Sequence, residues 1–288
     1  MSFEYPPMEK NGFFMSSGEE LDKAGGVILG APLDDTGSFR PGTRFAPSSV
    51  RMVSRALEEF SLNLRRDLRD IYFYDAGDFI LFPGNTEASL DIIARGVSRF
   101  INNGKKPFII GGEHTVTVGA VKGCLSTYKE LTVIFIDAHA DMRPSYGGVT
   151  HSHASVAYLL QQLNGVTIYQ FGVRSADRSE MAFVDGEKVF KFAVWEPLKD
   201  ILPKLKGSPL YLTIDMDVVD PAFAPGVAAP EPGGITSGEI LNIFSLLGGL
   251  KEELIAFDLV EICPPYDFSQ VTALLGAKIM REALLTFL

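Results

Sequence analysis

Short apolar runs separated by polar, glycine-bearing turns set the pattern of this chain: Val27-Ile28-Leu29, Ile71 to Tyr74, Phe108-Ile109-Ile110, Leu131 to Ile136, Val166 to Phe171, Leu210 to Ile214 and Leu254 to Leu259. Runs this short, most of them ending in Gly, Asp or Glu, predict strands buried on both faces. Most are followed by helical spacing, over 48–60, 88–101, 155–163, 237–247 and 269–287. The alternation predicts an α/β fold in three αβα layers, its mostly parallel sheet of seven or eight strands covered on both sides. No internal period and no Ser/Gly linker divides the chain, so residues 1–288 read as a single domain. Two loops rich in proline and glycine, 143–150 and 221–234, each follow an acidic strand end.

Composition narrows the classes. The 288 residues are 46% hydrophobic and 22% charged, which favours folding over disorder. A net charge of −10 repels nucleic acid and anionic membrane surfaces. Residues 1–7 show neither a basic start nor an apolar run, and no stretch reaches the roughly 18 apolar residues of a membrane span. Cys124 and Cys263 lie far apart without Cys-x-x-Cys spacing and read as packing thiols. Together these predict a soluble, cytoplasmic protein. The single tryptophan, Trp195, reads as a packing or interface residue.

The nucleotide, serine-hydrolase and zinc-helix signatures are missing: there is no strand-borne Gly-x-Gly-x-x-Gly, no phosphate-loop lysine motif, no Gly-x-Ser-x-Gly and no His-Glu-x-x-His. The candidate chemistry is concentrated elsewhere. All four histidines, His114, His139, His151 and His153, fall within a forty-residue window. His114 closes one strand in Gly111-Gly112-Glu113-His114, and Asp137-Ala138-His139-Ala140-Asp141 closes another. A third ends in Asp215-Met216-Asp217. Alternation along an extended segment would turn Asp137, His139 and Asp141 to one face, with Asp215 and Asp217 joining from a neighbouring strand. Carboxyl ends of parallel strands are where such folds bind ligands. Four carboxylates gathered there repel one another, and two divalent cations would balance them. Four Asp and two His form an oxygen-rich set suited to Mn²⁺, then Mg²⁺, Fe²⁺ or Co²⁺, and two such ions can activate water for hydrolysis.

In this order the blocks resemble the signatures of the ureohydrolases, the arginase and agmatinase superfamily. The resemblance runs from Gly30-Ala31-Pro32 and Ser38-Phe39-Arg40-Pro41-Gly42-Thr43-Arg44 to Val260-Glu261-Ile262-Cys263-Pro264-Pro265-Tyr266-Asp267, nearly the whole chain, and includes Ser152-His153-Ala154-Ser155. It implies an eight-stranded parallel sheet, a homo-oligomer (trimer or hexamer) and two Mn²⁺. One metal would take His114, Asp137, Asp141 and Asp215, the other His139, Asp137, Asp215 and Asp217, with Asp137 and Asp215 as bridges. Hydroxide held there would attack a guanidinium carbon, with Asp141 holding the proton of the tetrahedral centre. Glu261 would pair with the guanidinium, and a histidine near its ordinary pKa would pass a proton to the leaving amine. His153 is the first choice for that role and His151 the second.

The loop after Asp141 lacks the Asn and the His-Gly pair with which arginases hold an amino-acid substrate. With the Phe39-Arg40-Pro41-Gly42-Thr43-Arg44 block and Ser-His-Ala-Ser, it looks more like agmatinases. The expected reaction is hydrolysis of agmatine, a small cationic guanidino substrate, to putrescine and urea in polyamine biosynthesis. The alternatives are guanidinobutyrate or guanidinopropionate, with Arg143 or Arg40 as carboxylate contact, or L-arginine. Further off stand a single-zinc deacetylase, which the presence of both Asp141 and Asp217 opposes, and a metal-binding homologue without turnover.

Overall fold

The computed structural model describes residues 5–288; the expectation that no leader is present falls partly on residues 1–4, outside the described residues. The chain begins with β1 (Met8–Glu9), β2 (Gly26–Ala31), α1 (Ala46–Ser54), a hairpin of β3 (Phe60–Ser61) and β4 (Arg66–Asp67), and β5 (Phe73–Phe79). It continues through α2 (Thr86–Asn102), β6 (Lys106–Gly111), α3 (Val116–Leu125), β7 (Leu131–Ile136), α4 (Val156–Gln161), β8 (Val166–Val173), α5 (Met181–Val184) and β9 (Val189–Lys191). It ends with α6 (Trp195–Leu205), β10 (Leu210–Asp215), α7 (Ser237–Leu247), β11 (Leu254–Val260) and α8 (Val271–Phe287).

Nine strands form one sheet in the order β1-β5-β2-β6-β11-β10-β7-β8-β9. Eight of them run parallel, as expected, and the ninth is the two-residue β1, antiparallel on β5 at one edge. Two apolar layers flank the sheet. Residues of α1, α6, α7 and α8 form the core on one face, and α2, α3 and α4 supply the core on the other. Trp195 packs against the first of these, as expected of a packing residue.

The four central neighbours, β6, β11, β10 and β7, are far apart in sequence. The outer pair, β6 and β7, lead into α3 and α4 on one face, while β11 and β10 lead into α8 and α7 on the other. Outgoing connections that diverge in this way open a crevice at the carboxyl ends of the strands.

Several elements depart from the sequence pattern for identifiable reasons. The helix expected over 48–60 stops at Ser54, and Phe60-Ser61 instead pairs with Arg66-Asp67. Helical spacing continues past Ser54, but Phe60 and Leu62 are exposed, and the hairpin is tied down through Ser61 Oγ, which donates to Glu282 Oε2 on α8 at 2.7 Å. The run from Ile71 to Tyr74 only overlaps the start of a longer strand, β5, which begins at Phe73 and whose Asp75 and Asp78 interrupt the apolar pattern yet are buried. Helix α3 escapes a periodicity reading because nearly every residue from Val116 to Cys124 is buried, leaving no polar stripe.

Candidate functional site

Each predicted ligand leaves one of the four central strands at its carboxyl end. After β6 the backbone of Gly112 passes so close to the β2 end that a Cβ there would lie 1.9 Å from the Leu33 carbonyl oxygen, so only glycine fits. This close passage brings His114 over the crevice. Its Nε2 lies 3.0 Å from Thr213 Oγ1 on β10, which orients the ring so that Nδ1 faces three carboxylates: Asp137 Oδ2 at 3.0 Å, Asp215 Oδ2 at 3.2 Å and Asp141 Oδ2 at 3.4 Å.

The two Asp-x-(His/Asp) ends share a local device. The Asp137 side chain accepts from the His139 amide at 2.6 Å, and Asp215 accepts from the Asp217 amide at 2.8 Å, each carboxylate bending the chain over itself two residues on. Asp217 in turn accepts from the Ala138 amide at 3.2 Å through Oδ1 and meets His139 Nδ1 at 2.8 Å through Oδ2. Strand alternation therefore does not produce the convergence expected of Asp137, His139 and Asp141. The strand ends at Ile136, and Asp141 reaches the cluster from a left-handed backbone, φ +50°. Glu261, just past β11, is likewise left-handed at φ +65°, and its Oε1 accepts the His114 amide at 2.7 Å. Such conformations are costly for residues with a Cβ and concentrate at sites that use the resulting geometry.

Two groups of donor atoms lie within 4.8 Å of one another, His114-Asp137-Asp141 and Asp137-His139-Asp217, and they share Asp137. Buried His114 Nδ1 and Asp137 Oδ2 have no hydrogen-bond partner among the described residues, although they face each other. The electrostatics agree. Burial, with neighbouring charge, pushes Asp141 up to about 7 and Asp215 well above the carboxylate range. Burial also opposes ionisation of Asp137, yet contacts with His114 and His139 hold it low. Without added positive charge the cluster must retain protons, and these are what divalent cations would displace. Oxygen-rich donors with two imidazoles and orphaned buried atoms fit a pair of such ions.

A cavity of about 310 Å³ opens over this cluster, lined by His114, His139, Asp141, Asp215, Asp217 and Glu261 at its base. His153 lines its wall and His151 does not. The His151 imidazole sits instead 3.0 Å from Glu87 Oε1 on α2. His153 also departs from the expectation of an ordinary histidine pKa, because burial pushes it down to about 4, leaving the ring neutral at pH 7. Arg40 is absent from the cavity lining. It donates to the Pro225 and Val227 carbonyls and lies over the Phe39 and Tyr266 rings. Arg143 does line the cavity, but over the Tyr146 ring and 3.5 Å from Glu180 Oε2.

Pattern reading missed the wall residues Ser38, Phe39, Tyr146, Asp177 and Glu180. Ser38 and Phe39 stand in the block noted for its resemblance and Tyr146 in the loop rich in proline and glycine, while the signal of Asp177 and Glu180 is the Asp-x-x-Glu capping box that they form at 2.9 and 2.6 Å. Cys263 is buried with its thiol pushed up to about 12, and Cys124 is buried in the core, so neither is a reactive nucleophile.

The site therefore defines a metal-dependent hydrolase on a three-layer α/β frame. The sequence profile of the Arginase family matches residues 24–286, and the chain belongs to that family, an enzyme of the metal-dependent amidinohydrolases. The agmatinase of Bacillus subtilis (strain 168) is 43% identical over 277 residues, covering 95% of this chain and 96% of that protein. The guanidinobutyrase of Pseudomonas aeruginosa is 30% identical, covering 94% and 88%. The crystal structure of agmatine ureohydrolase of Thermoplasma volcanium superposes with a TM-score of 0.85 at 31% identity, covering 96% of this chain and 94% of that one. The expected likeness to agmatinases is borne out. No described helix is long and apolar enough to cross a membrane.

Proposed function

We propose that this chain hydrolyses agmatine to putrescine and urea at a site holding two Mn²⁺ through His114, His139, Asp137, Asp141, Asp215 and Asp217. The observation that carries the substrate choice is the state of the two arginines. Arg40 is bound away from the cavity, and Arg143, although it lines the cavity, faces the Glu180 carboxylate at 3.5 Å and lies over the Tyr146 ring, so its charge is partly matched before a guanidino acid enters. The cavity wall also carries the carboxylate of Asp177, which suits a terminal ammonium. Likeness to proteins named agmatinase supports the same reading.

When bound, the cations lower the pKa of water enough for attack at neutral pH. Glu261 offers its carboxylate to the planar guanidinium and fixes its orientation. Asp141 holds the proton released on attack. His153, neutral at rest, takes up the proton that Asp141 holds at one ring nitrogen and passes it to the leaving nitrogen as the C–N bond breaks, yielding neutral urea and the primary amine.

The test is urea release by Mn²⁺-loaded protein from agmatine, L-arginine, guanidinobutyrate and guanidinopropionate at matched concentrations. A clear preference for agmatine is expected, and preference for a guanidino acid would overturn the substrate reading. His139→Ala and Asp217→Ala should each lose metal and turnover together. Full activity of either in metal-scrubbed buffer would overturn the two-metal account.

A further inference from the structure

Glu113, the acidic residue of Gly111-Gly112-Glu113-His114, is 1% exposed and not among the residues lining the cavity. Its carboxylate is instead occupied by the loop that carries Ser38. Oε2 accepts the Thr36 amide at 2.7 Å, and Oε1 meets the hydroxyls of Thr36 at 2.9 Å and Thr115 at 2.8 Å. Thr36 Oγ1 in turn accepts the His153 amide at 3.0 Å and lies 3.2 Å from His153 Nδ1, while His153 Nε2 lies 3.1 Å from Ser38 Oγ.

With Glu113 ionised, as its three donors (the Thr36 amide and the Thr36 and Thr115 hydroxyls) favour against its burial, proton counting along this chain leaves one consistent arrangement. A threonine hydroxyl has one hydrogen and two lone pairs. A carboxylate only accepts, so the hydrogen goes to Glu113, and both lone pairs must receive. One receives the His153 amide. Unless the other receives Nδ1–H, two lone pairs face each other at 3.2 Å. We propose that Glu113 and Thr36 are positioning residues that lock His153 in its Nδ1–H tautomer, leaving Nε2, beside Ser38, as the nitrogen that takes up and delivers the proton. The functional part of this assignment rests on the proton-shuttle role given to His153 above, whereas the tautomer itself does not.

Glu113→Gln provides a polarity reversal. The Thr36 amide still requires an acceptor at the Oε2 position, so the glutamine oxygen must sit there and its NH₂ must face Thr36. The hydroxyl then accepts from Gln and turns its hydrogen onto Nδ1, driving His153 to the Nε2–H form. The readout is ¹⁵N NMR of the imidazole nitrogens in protein loaded with diamagnetic Mg²⁺, with the His153 signals identified by their loss in His153→Ala. Expected are a protonated Nδ1 in the wild type, a protonated Nε2 in Glu113→Gln, a mixture in Thr36→Val and the wild-type signature in Thr36→Ser. With Mn²⁺ and at equal metal content, Glu113→Gln should lower kcat about tenfold or more with little change in KM. A wild-type Nε2–H form, or a spectrum unchanged in both Glu113→Gln and Thr36→Val, would overturn the proposal. If the tautomers behave as stated while His153→Ala keeps its full rate, the shuttle role falls and the tautomer lock stands.

Discussion

Arg51 is 1% exposed on α1, yet it is among the largest side chains enclosed by the fold. Its guanidinium holds Asp75 at 2.8 and 2.9 Å through Nε and Nη2, and Nη1 holds Asp78. Both aspartates lie on β5, so this one cation closes the seam between α1 and the strand beneath it. Removing one partner of a buried ionic cluster strands the others without compensation. Arg51→Met should therefore cost about 3–5 kcal/mol of unfolding free energy, measured by urea denaturation. A loss below about 1 kcal/mol would show the cluster to be held by packing alone. The same residues explain why β5 is only half legible in the sequence: Asp75 and Asp78 break its apolar run, and their burial depends on an arginine some 25 positions away, which no local pattern reports.

Among the elements, the 221–234 loop shows how a long connection is kept in place. The Asp220 side chain accepts from Ala222 at 2.9 Å, Gly233 at 2.7 Å and Gly234 at 3.1 Å, so both ends of the loop are held by one carboxylate, and the loop delivers Ala228 and Ala229 to the cavity wall. These amides, Ala222 and Gly233 foremost, hold the Asp220 carboxyl below the usual carboxylate range. A folded pKa below the unfolded value means the contribution is present above about pH 4 and is lost as pH falls through the lower folded value. Asp220→Ala should open the loop at neutral pH, seen as faster proteolysis within 221–234 and a severalfold rise in KM for agmatine. Unchanged cleavage would show that the loop is held by its other contacts. Helices α2 and α7 sit where their spacing predicts because their caps are local: Asn85 accepts from the Ala88 amide, and Thr236 with Glu239 forms a capping box. Helix α6 contains Pro203 and was not legible as a helix, although its apolar face joins the core through Leu198, Ile201 and Leu205.

In the whole molecule, four strand ends distant in sequence meet because β11 and β10 insert between β6 and β7. The resulting cluster of buried acids resists the folded state unless positive charge enters. Chelation should accordingly lower Tm, and Mn²⁺ should restore it in a concentration-dependent manner. Binding at about one hundred times Kd contributes roughly 2.7 kcal/mol, which for a chain of this size shifts Tm by about 4–5 °C. A Tm unaffected by chelator and by Mn²⁺ would mean that the acids are stable as a protonated cluster and do not constitute a metal site.

The sequence by itself determined the αβα layering, the parallel strands and the acidic strand ends, because burial on both faces and short turns leave their marks within a few neighbouring residues. It also marked His114, Asp137, His139, Asp141, Asp215, Asp217 and Glu261 as candidates, since each stands at or just past the end of an apolar run. Only the tertiary structure separates His151 from His153, whose positions differ by two residues while one faces Glu87 and the other the cavity. It alone turned Arg40 away from the cavity, and it joined Glu113 to His153 through Thr36, which lies 77 and 117 positions away from them. Such contacts depend on strand order and loop closure, and neither periodicity nor composition encodes which distant groups come to share a proton.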